Sequence, residues 1–447
     1  MTTLASAATT DTQNLTIARD TDHVAHSTPP SQTSLKVLIS AYSCQPGLGS
    51  EPGVGWNTIS QVSRLHEVWV LTAAEQREAI EAELAQNPMP NVHWNYVDVP
   101  DWLTRSWKKG ERGRRIHYGL WQYWAYLKGK QLHQQIGFDI VHHITFVSYW
   151  TPSYLALLDV PFVWGPIGGG DSTPRVFYST LSWKSRRNEF LRDSVRMIAH
   201  HLDPFVRLTA SHAAIALPTT ERTADKVRSL GARDVRVTSE VALAHEDIEL
   251  LNAPRVRQGD EPFRVVSLGR LLGWKGYHLG IQAFAQLQKS VPASEYWIVG
   301  TGPENDRLKM LAETLGVVDK VRFMGNVPRE EAFRLLTQAD VFLHPSLHDT
   351  GSWVCLEAMA AGLPVVCLHL AGPATLITDE TGFRVPVSSL KQSINDLGLA
   401  LLQLAQEPEL RQRMSTAGRE RIRANFDWNS KGEQFDRIYR ELVKAKA

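Results

Sequence analysis

Two carboxylates bracket a turn in the stretch His344-Pro-Ser-Leu-His-Asp-Thr-Gly-Ser-Trp-Val-Cys-Leu-Glu357. Asp349 lies in the polar loop, and Glu357 lies one turn into a helix expected from about Trp353 to Ala361. Gly362 and Pro364 stop that helix, as a C-cap and a following breaker do. Apolar strands, Val341-Phe-Leu and Val365-Val-Cys-Leu, flank the unit. In an open parallel sheet such a loop sits at the carboxyl ends of strands, where ligands bind. The helix start aims unpaired N–H groups into that crevice, which suits an anion. One carboxylate can accept sugar hydroxyls and the other ribose hydroxyls. Alone, Glu357 is also an ordinary helix-start charge and Asp349 an ordinary turn residue. A glycosidase pair cannot be read here, because that chemistry depends on the separation in space.

A second set of groups follows the strand Phe263 to Gly269, in the loop Arg270-Leu-Leu-Gly-Trp-Lys275-Gly. A guanidinium fork and a point cation in one loop can clamp a diphosphate. Such a clamp helps most as the diphosphate leaves and negative charge develops on it. Each cation alone reads as a surface residue. Together, at two strand ends of one sheet, they favour a ligand. His142 and His143 sit late in another strand-like run, Phe138 to Val147. Strand side chains alternate, so only one of the two faces a cleft. There it either positions a sugar or acceptor or is structural.

The elements that hold these groups alternate between strand and helix. Leu35 to Ser43 is a buried strand, Gly47 to Gly55 a glycine-rich loop, Trp56 to Arg64 a helix and Glu67 to Thr72 a strand. The loop glycines permit close backbone approach to a ligand or simply a tight turn. Their spacing is not G-x-G-x-x-G, so no dinucleotide site is assigned. The pattern restarts at Phe263 after a polar, turn-rich linker over 245–262. The expected fold class is α/β, with two doubly wound domains facing across a cleft. The predicted divisions are a disordered tail over 1–33, a first domain over 34–245 and a second over 246–425.

Composition narrows the rest. The 447 residues are 43% hydrophobic and 21% charged, enough for two or three domains with real cores. The formal net charge of +1 gives no electrostatic case for nucleic acid. Cys44, Cys355 and Cys367 form neither a disulfide framework nor a metal spacing, which fits a reducing cytoplasm. No apolar run approaches the ~18 residues of a membrane span, and residues 1–33 do not read as a secretory signal. Two segments are basic and aromatic. Residues 102–130 carry Arg105, Lys108, Lys109, Arg112, Arg114, Arg115, Lys128 and Lys130, with Trp102, Trp107, Trp121 and Trp124 among them. Residues 183–207 repeat the theme with Arg186, Arg187, Phe190, Arg192 and Arg196. Each is either a solvated basic face or a surface for anionic lipid, which would place the chain at the inner face of a membrane.

Taken together, Asp349 to Val366 resembles the E-x7-E region of retaining glycosyltransferases of family four. Val266 to Gly276 and Val299-Gly-Thr-Gly-Pro303 resemble two further motifs of that family, in order. Ser43 to Trp56 and Trp164-Gly-Pro-Ile-Gly-Gly-Gly170 look like its polysaccharide-assembly branch. The resemblance runs from about residue 35 to 440. It implies the GT-B fold, two Rossmann-like domains with the site between them and a last helix, 426–447, crossing back. It further implies a nucleoside-diphosphate sugar donor, a polysaccharide or lipid-linked saccharide acceptor, retention at the anomeric carbon and no metal or other cofactor. By position, Arg270 and Lys275 would hold the diphosphate, Glu357 the ribose and Asp349 the sugar. Gly53, Gly55, Val327, Gly351, Ser352, Trp353 and Val354 would line the donor or acceptor. The family's strand-end His-x-His appears here as His142-His143-Ile144. A strict alignment puts the active-site position on Ile144, and His143 is the residue assigned to the cleft. A phosphorylase, a nucleotide-sugar epimerase or a non-catalytic carbohydrate-binding protein on the same scaffold are the alternatives.

Overall fold

Apolar runs buried on both faces build two parallel sheets in the computed structural model, which describes residues 33–104, 110–252 and 261–446. The expected tail therefore lies outside the described residues, apart from Thr33. So do Arg105, Trp107, Lys108, Lys109 and the side chains of Arg112 and Arg115.

The first half runs β1 (Lys36–Ser40), α1 (Ser50–Val62), β2 (Glu67–Ala73), α2 (Arg77–Leu84), β3 (Val92–Val97), α3 (Asp101–Thr104), α4 (Gly110–Ile136) and β4 (Ile140–His143). It continues through β5 (Phe162–Ile167), α5 (Trp183–Leu202), α6 (Pro204–His212), β6 (Ala213–Pro218) and α7 (Glu221–Ser229). The second half runs α8 (His245–Leu251), β7 (Phe263–Leu268), α9 (Tyr277–Ser290), β8 (Ser294–Val299), α10 (Asn305–Thr314), β9 (Val321–Gly325) and α11 (Arg329–Thr337). Then come β10 (Val341–His344), α12 (Trp353–Ala360), β11 (Val365–Leu368), α13 (Ala371–Leu376), β12 (Gly382–Val385), α14 (Leu390–Gln406), α15 (Pro408–Asn425) and α16 (Trp428–Lys446).

The strand orders are β3-β2-β1-β4-β5-β6 and β12-β11-β10-β7-β8-β9. In each sheet the order reverses beside one strand pair, β1 with β4 and β7 with β10. Crevices open at the carboxyl ends of such pairs. The loops that leave those four strands are the ones the motifs occupy.

The chain passes from one sheet to the other and back at a single place. Leu243 N donates to Phe426 O at 2.7 Å, and Trp428 N donates to Leu243 O at 3.2 Å. α16 then lies on the first sheet, where Tyr439 Oη meets His142 Nδ1 at 2.6 Å.

Three expectations change. α1 begins at Ser50, so Gly53 and Gly55 are helical rather than in a loop. The segment reads as loop because of its Gly and Pro. Pro52 falls in the first turn, where its missing N–H costs nothing. The linker contains α8 over His245–Leu251. The second basic segment, given no secondary structure from the sequence, is the long helix α5 followed by α6.

Candidate functional site

The two second-half loops meet because Gly276 lets them. Its φ is 71°, and a Cβ there would sit 1.9 Å from Pro345 O. This approach sets Lys275, at the end of a 3-10 turn, beside the loop after β10. Lys275 Nζ donates a short hydrogen bond to Asp349 Oδ2. His344 Nε2 lies 3.2 Å from the same oxygen. Burial pushes the Asp349 carboxyl up, but Lys275 and His344 outweigh it and hold the group well below the usual carboxylate range. His344 is itself pushed down by burial, against the pull of Asp349. The site thus keeps an ionised carboxylate locked to an ammonium. Arg270 is exposed and makes no ion pair among the described residues, so its fork is available to an incoming anion.

Glu357 sits a turn into α12 with 14% of its side chain exposed. Burial pushes it up to about 7, with Arg329 opposing and Asp247 adding to the shift. Arg329 Nη2 lies 3.7 Å from Glu357 and 2.7 Å from Asp247. Val327, Trp353 and Val354 pack partly buried against the apolar cluster beneath α12. Ser352 takes a left-handed φ of 46° as the residue before α12. Gly351 leaves room for Glu240, whose Oε1 would meet a Cβ at 2.5 Å.

The first-half residues are placed differently. A Cβ on Gly53 would strike Leu48 O at 2.1 Å, and one on Gly55 would strike Ser43 O at 2.5 Å. The space that these glycines leave is filled by the chain's own backbone, so they serve packing. Gly53 nonetheless faces the second half, with the Trp353 ring 3.4 Å from that Cβ position. His143 does not open onto a cleft. It is 1% exposed, and its Nε2 lies 3.2 Å from Tyr118 Oη and 3.3 Å from Gln122 Nε2. His142 points to the other face, between Tyr439 and Gly165 O. Burial pushes His142 down to about 3 and His143 to about 4, so both are neutral. Ile144, the strictly aligned position, is buried as well.

Sequence reasoning missed the groups that reach the site from elsewhere. Glu240 follows the first sheet, and burial pushes it up to about 8, with Glu51 and Asp349 adding. Lys431, on α16, is pushed down to about 8 by burial. It donates to Thr238 Oγ1 at 2.9 Å and Ser239 O at 2.5 Å. Neither residue sits in a recognisable pattern, since they meet only when α16 crosses back. His344 was visible at the end of a strand; its pairing with Asp349 was not. Beside the Asp349 loop, Gly372 N donates to Asp349 O at 2.8 Å. A cavity of about 580 Å³ opens there between the halves, lined by Asp171, Thr220, Arg222, His369 and Leu370 among others. Among the described residues no His, Cys, Asp and Glu cluster suits a metal.

A paired ammonium and carboxylate, a guanidinium without an ion pair among the described residues and a second carboxylate thus lie in the loops and helix that follow β7 and β10. Residues 252–421 match the family model for Glycosyl transferases group 1. The lipopolysaccharide core biosynthesis glycosyltransferase LpsD of Rhizobium meliloti is 33% identical over 211 residues, covering 45% of this chain and 57% of that protein. The chain spans about half the length of the curated relatives it matches. Among solved structures, sucrose-phosphate synthase from Thermosynechococcus elongatus has a TM-score of 0.58 at 20% identity, covering 92% of this chain and all of that one. Anabaena Alr3699/HepE in complex with UDP has a TM-score of 0.58 at 17% identity, covering 91% of this chain and 100% of that one. The fold is GT-B, as the resemblance implied.

Proposed function

We propose that the protein is a retaining glycosyltransferase that moves a sugar from a nucleoside-diphosphate sugar to a saccharide or lipid-linked saccharide. The observation that carries this reading is the Lys275–Asp349 pair, with the exposed Arg270 in the same loop as Lys275, at the carboxyl ends of β7 and β10. Arg270 and Lys275 take the diphosphate. The bond from the anomeric carbon to the diphosphate breaks, and the two cations carry the charge that develops. Asp349 accepts sugar hydroxyls, and Glu357 accepts the ribose hydroxyls. The acceptor hydroxyl loses its proton to the departing phosphate oxygen and bonds the anomeric carbon on the face the diphosphate left. The cations do the work that a metal does elsewhere, so no cofactor enters. The cavity beside Gly372, with Asp171, Arg222 and His369 on its wall, is the acceptor side. The UDP complex of a protein with the same fold supports the donor class.

The test is a panel of nucleotide-sugars with saccharide and lipid-linked acceptors, read by nucleotide release and by the anomeric configuration of the product. One donor should be consumed only with an acceptor, with retention. Neither binding nor release across the panel would sink the reading. Dependence on inorganic phosphate would indicate a phosphorylase, and turnover without acceptor an epimerase.

A further inference from the structure

Helix α5 is built inside out. Ser185, Glu189, Arg192 and Arg196 recur at helical spacing and form one polar stripe. That stripe faces the protein. Glu189 Oε2 accepts from Thr173 Oγ1 at 2.6 Å and from Arg192 Nη2 at 2.6 Å, and lies 3.3 Å from His348 Nε2. Arg196 Nη1 donates to Asp171 O at 2.8 Å. The opposite arc is apolar and faces out. Trp183 is 75% exposed, Phe190 66%, Ile198 55% and Leu202 76%. A polar helix face buried under an exposed apolar one calls for something outside the chain to cover it.

The charge on the outer arc says what. Lys184, Arg186 and Arg187 are exposed there. The helix's acids, Glu189 and Asp193, both turn inward, Asp193 to Ser172 Oγ at 2.9 Å. The patch continues past α5. Phe205 on α6 packs its ring 5.5 Å from Tyr154, which lies 6.4 Å from Tyr123 on α4. Tyr123 and Leu127 are exposed there, beside Lys130. A second copy of the chain covers this surface poorly, because a two-fold contact sets the same basic arc against itself. Anionic headgroups match it, with aromatic and aliphatic side chains below and cations at the phosphate level.

We propose that α5 and α6, together with the adjoining face of α4, dock the protein flat on an anionic lipid bilayer. The inner stripe of α5 stands on the donor loop. His348, held by Glu189 and Arg192, stacks on Trp274 at 4.6 Å, next to Lys275. Docking therefore sets the donor site at the membrane surface, within reach of a lipid-linked saccharide. This deepens the acceptor half of the function proposed above and rests on that reading only there, because docking is measured without any donor.

The experiment is co-sedimentation of the full chain with phosphatidylcholine vesicles, with and without phosphatidylglycerol. Binding should need the anionic lipid and weaken as salt rises. Phe190→Glu with Ile198→Glu should reduce vesicle affinity by tenfold or more, since each change puts a like charge and a polar group into the contact. Arg186→Glu with Arg187→Glu should do the same without touching the apolar arc. Both variants should keep the wild-type affinity for nucleoside diphosphate, which shows that they are folded. Vesicle binding unchanged in both variants would overturn the proposal. So would a dimer, seen by light scattering, that Phe190→Glu dissociates in a chain that ignores vesicles. Loss of sugar transfer with vesicle binding intact would count against the transferase reading and leave the docking standing.

Discussion

Lys275 and Asp349 hold each other across the loops after β7 and β10, where the proposed donor would meet both. The carboxylate is kept ionised and the ammonium is kept in place, so neither has to be ordered when a diphosphate arrives. Lys275→Ala should lower the transfer rate by about 10²-fold, as removing a charge-stabilising donor does. A chelator should leave the rate of the unmodified protein unchanged if the cations alone carry the leaving charge; a chelator-sensitive rate would refute that assignment. Glu357 gives a sharper test, because burial has moved it. Its folded pKa of about 7 lies above the ordinary value of 4.5. The stability it contributes is therefore complete below about pH 4.5 and lost as pH rises through about 7. Glu357→Gln should be neutral to stability near pH 4 and stabilising above about pH 8, by up to roughly 3 kcal/mol. The wild type should gain nucleotide affinity as Glu357 ionises near pH 7, and the same change should weaken binding and remove that rise. Denaturant melts at two pH values and a titration series read both. A variant no more stable than wild type at high pH would show that Glu357 is not strained by its burial.

At the level of elements, the second half was legible because its signals are local. α12 begins at the expected Trp353 and ends within a residue of the expected Ala361, since a polar turn precedes it and Gly362 and Pro364 follow it. The first half was harder. α1 hid behind Gly53, Pro52 and Gly55, residues that individually read as loop. They serve a helix here because Leu48 O and Ser43 O press against it, which is a tertiary fact. Glycine has a different task at Gly276. Its positive φ and its 1.9 Å approach to Pro345 O join the loops after β7 and β10. Gly276→Ala adds both a strained backbone and a clash with a carbonyl that cannot swing away, costing about 2 to 4 kcal/mol. Because Lys275 is its neighbour, the variant should also lose donor affinity well beyond what its melting temperature explains. Full donor affinity in a destabilised protein would show that the turn does not set the position of Lys275.

Across the whole molecule, the site draws on parts that no motif joins. Glu240 and Lys431 lie far apart in sequence and act within one buried neighbourhood because α16 returns to the first sheet. The resemblance implied that the last helix crosses back, but not which of its residues it would bring to Glu240, and so neither residue stood out. His143 misled for a related reason. Strand parity said that one histidine faces away from the other, but not that α4 covers one face and α16 the other. The return of α16 is itself open to test at Tyr439, which is fully buried and bonded to His142 Nδ1 at 2.6 Å. Tyr439→Phe removes only that hydrogen bond and leaves His142 Nδ1 without its partner, at a cost of about 1 to 2 kcal/mol. Tyr439→Ala also empties a ring-sized space between α16 and the first sheet, at a cost of about 3 to 5 kcal/mol. Thermal melts should rank wild type, Phe and Ala in that order. Nucleotide-sugar KM should rise in step, since Lys431 rides on the same helix and meets the donor loop through Glu240. If the two variants melt together, the tie is the hydrogen bond alone. If KM stays fixed while the Ala variant melts early, α16 braces the first half without holding the donor site.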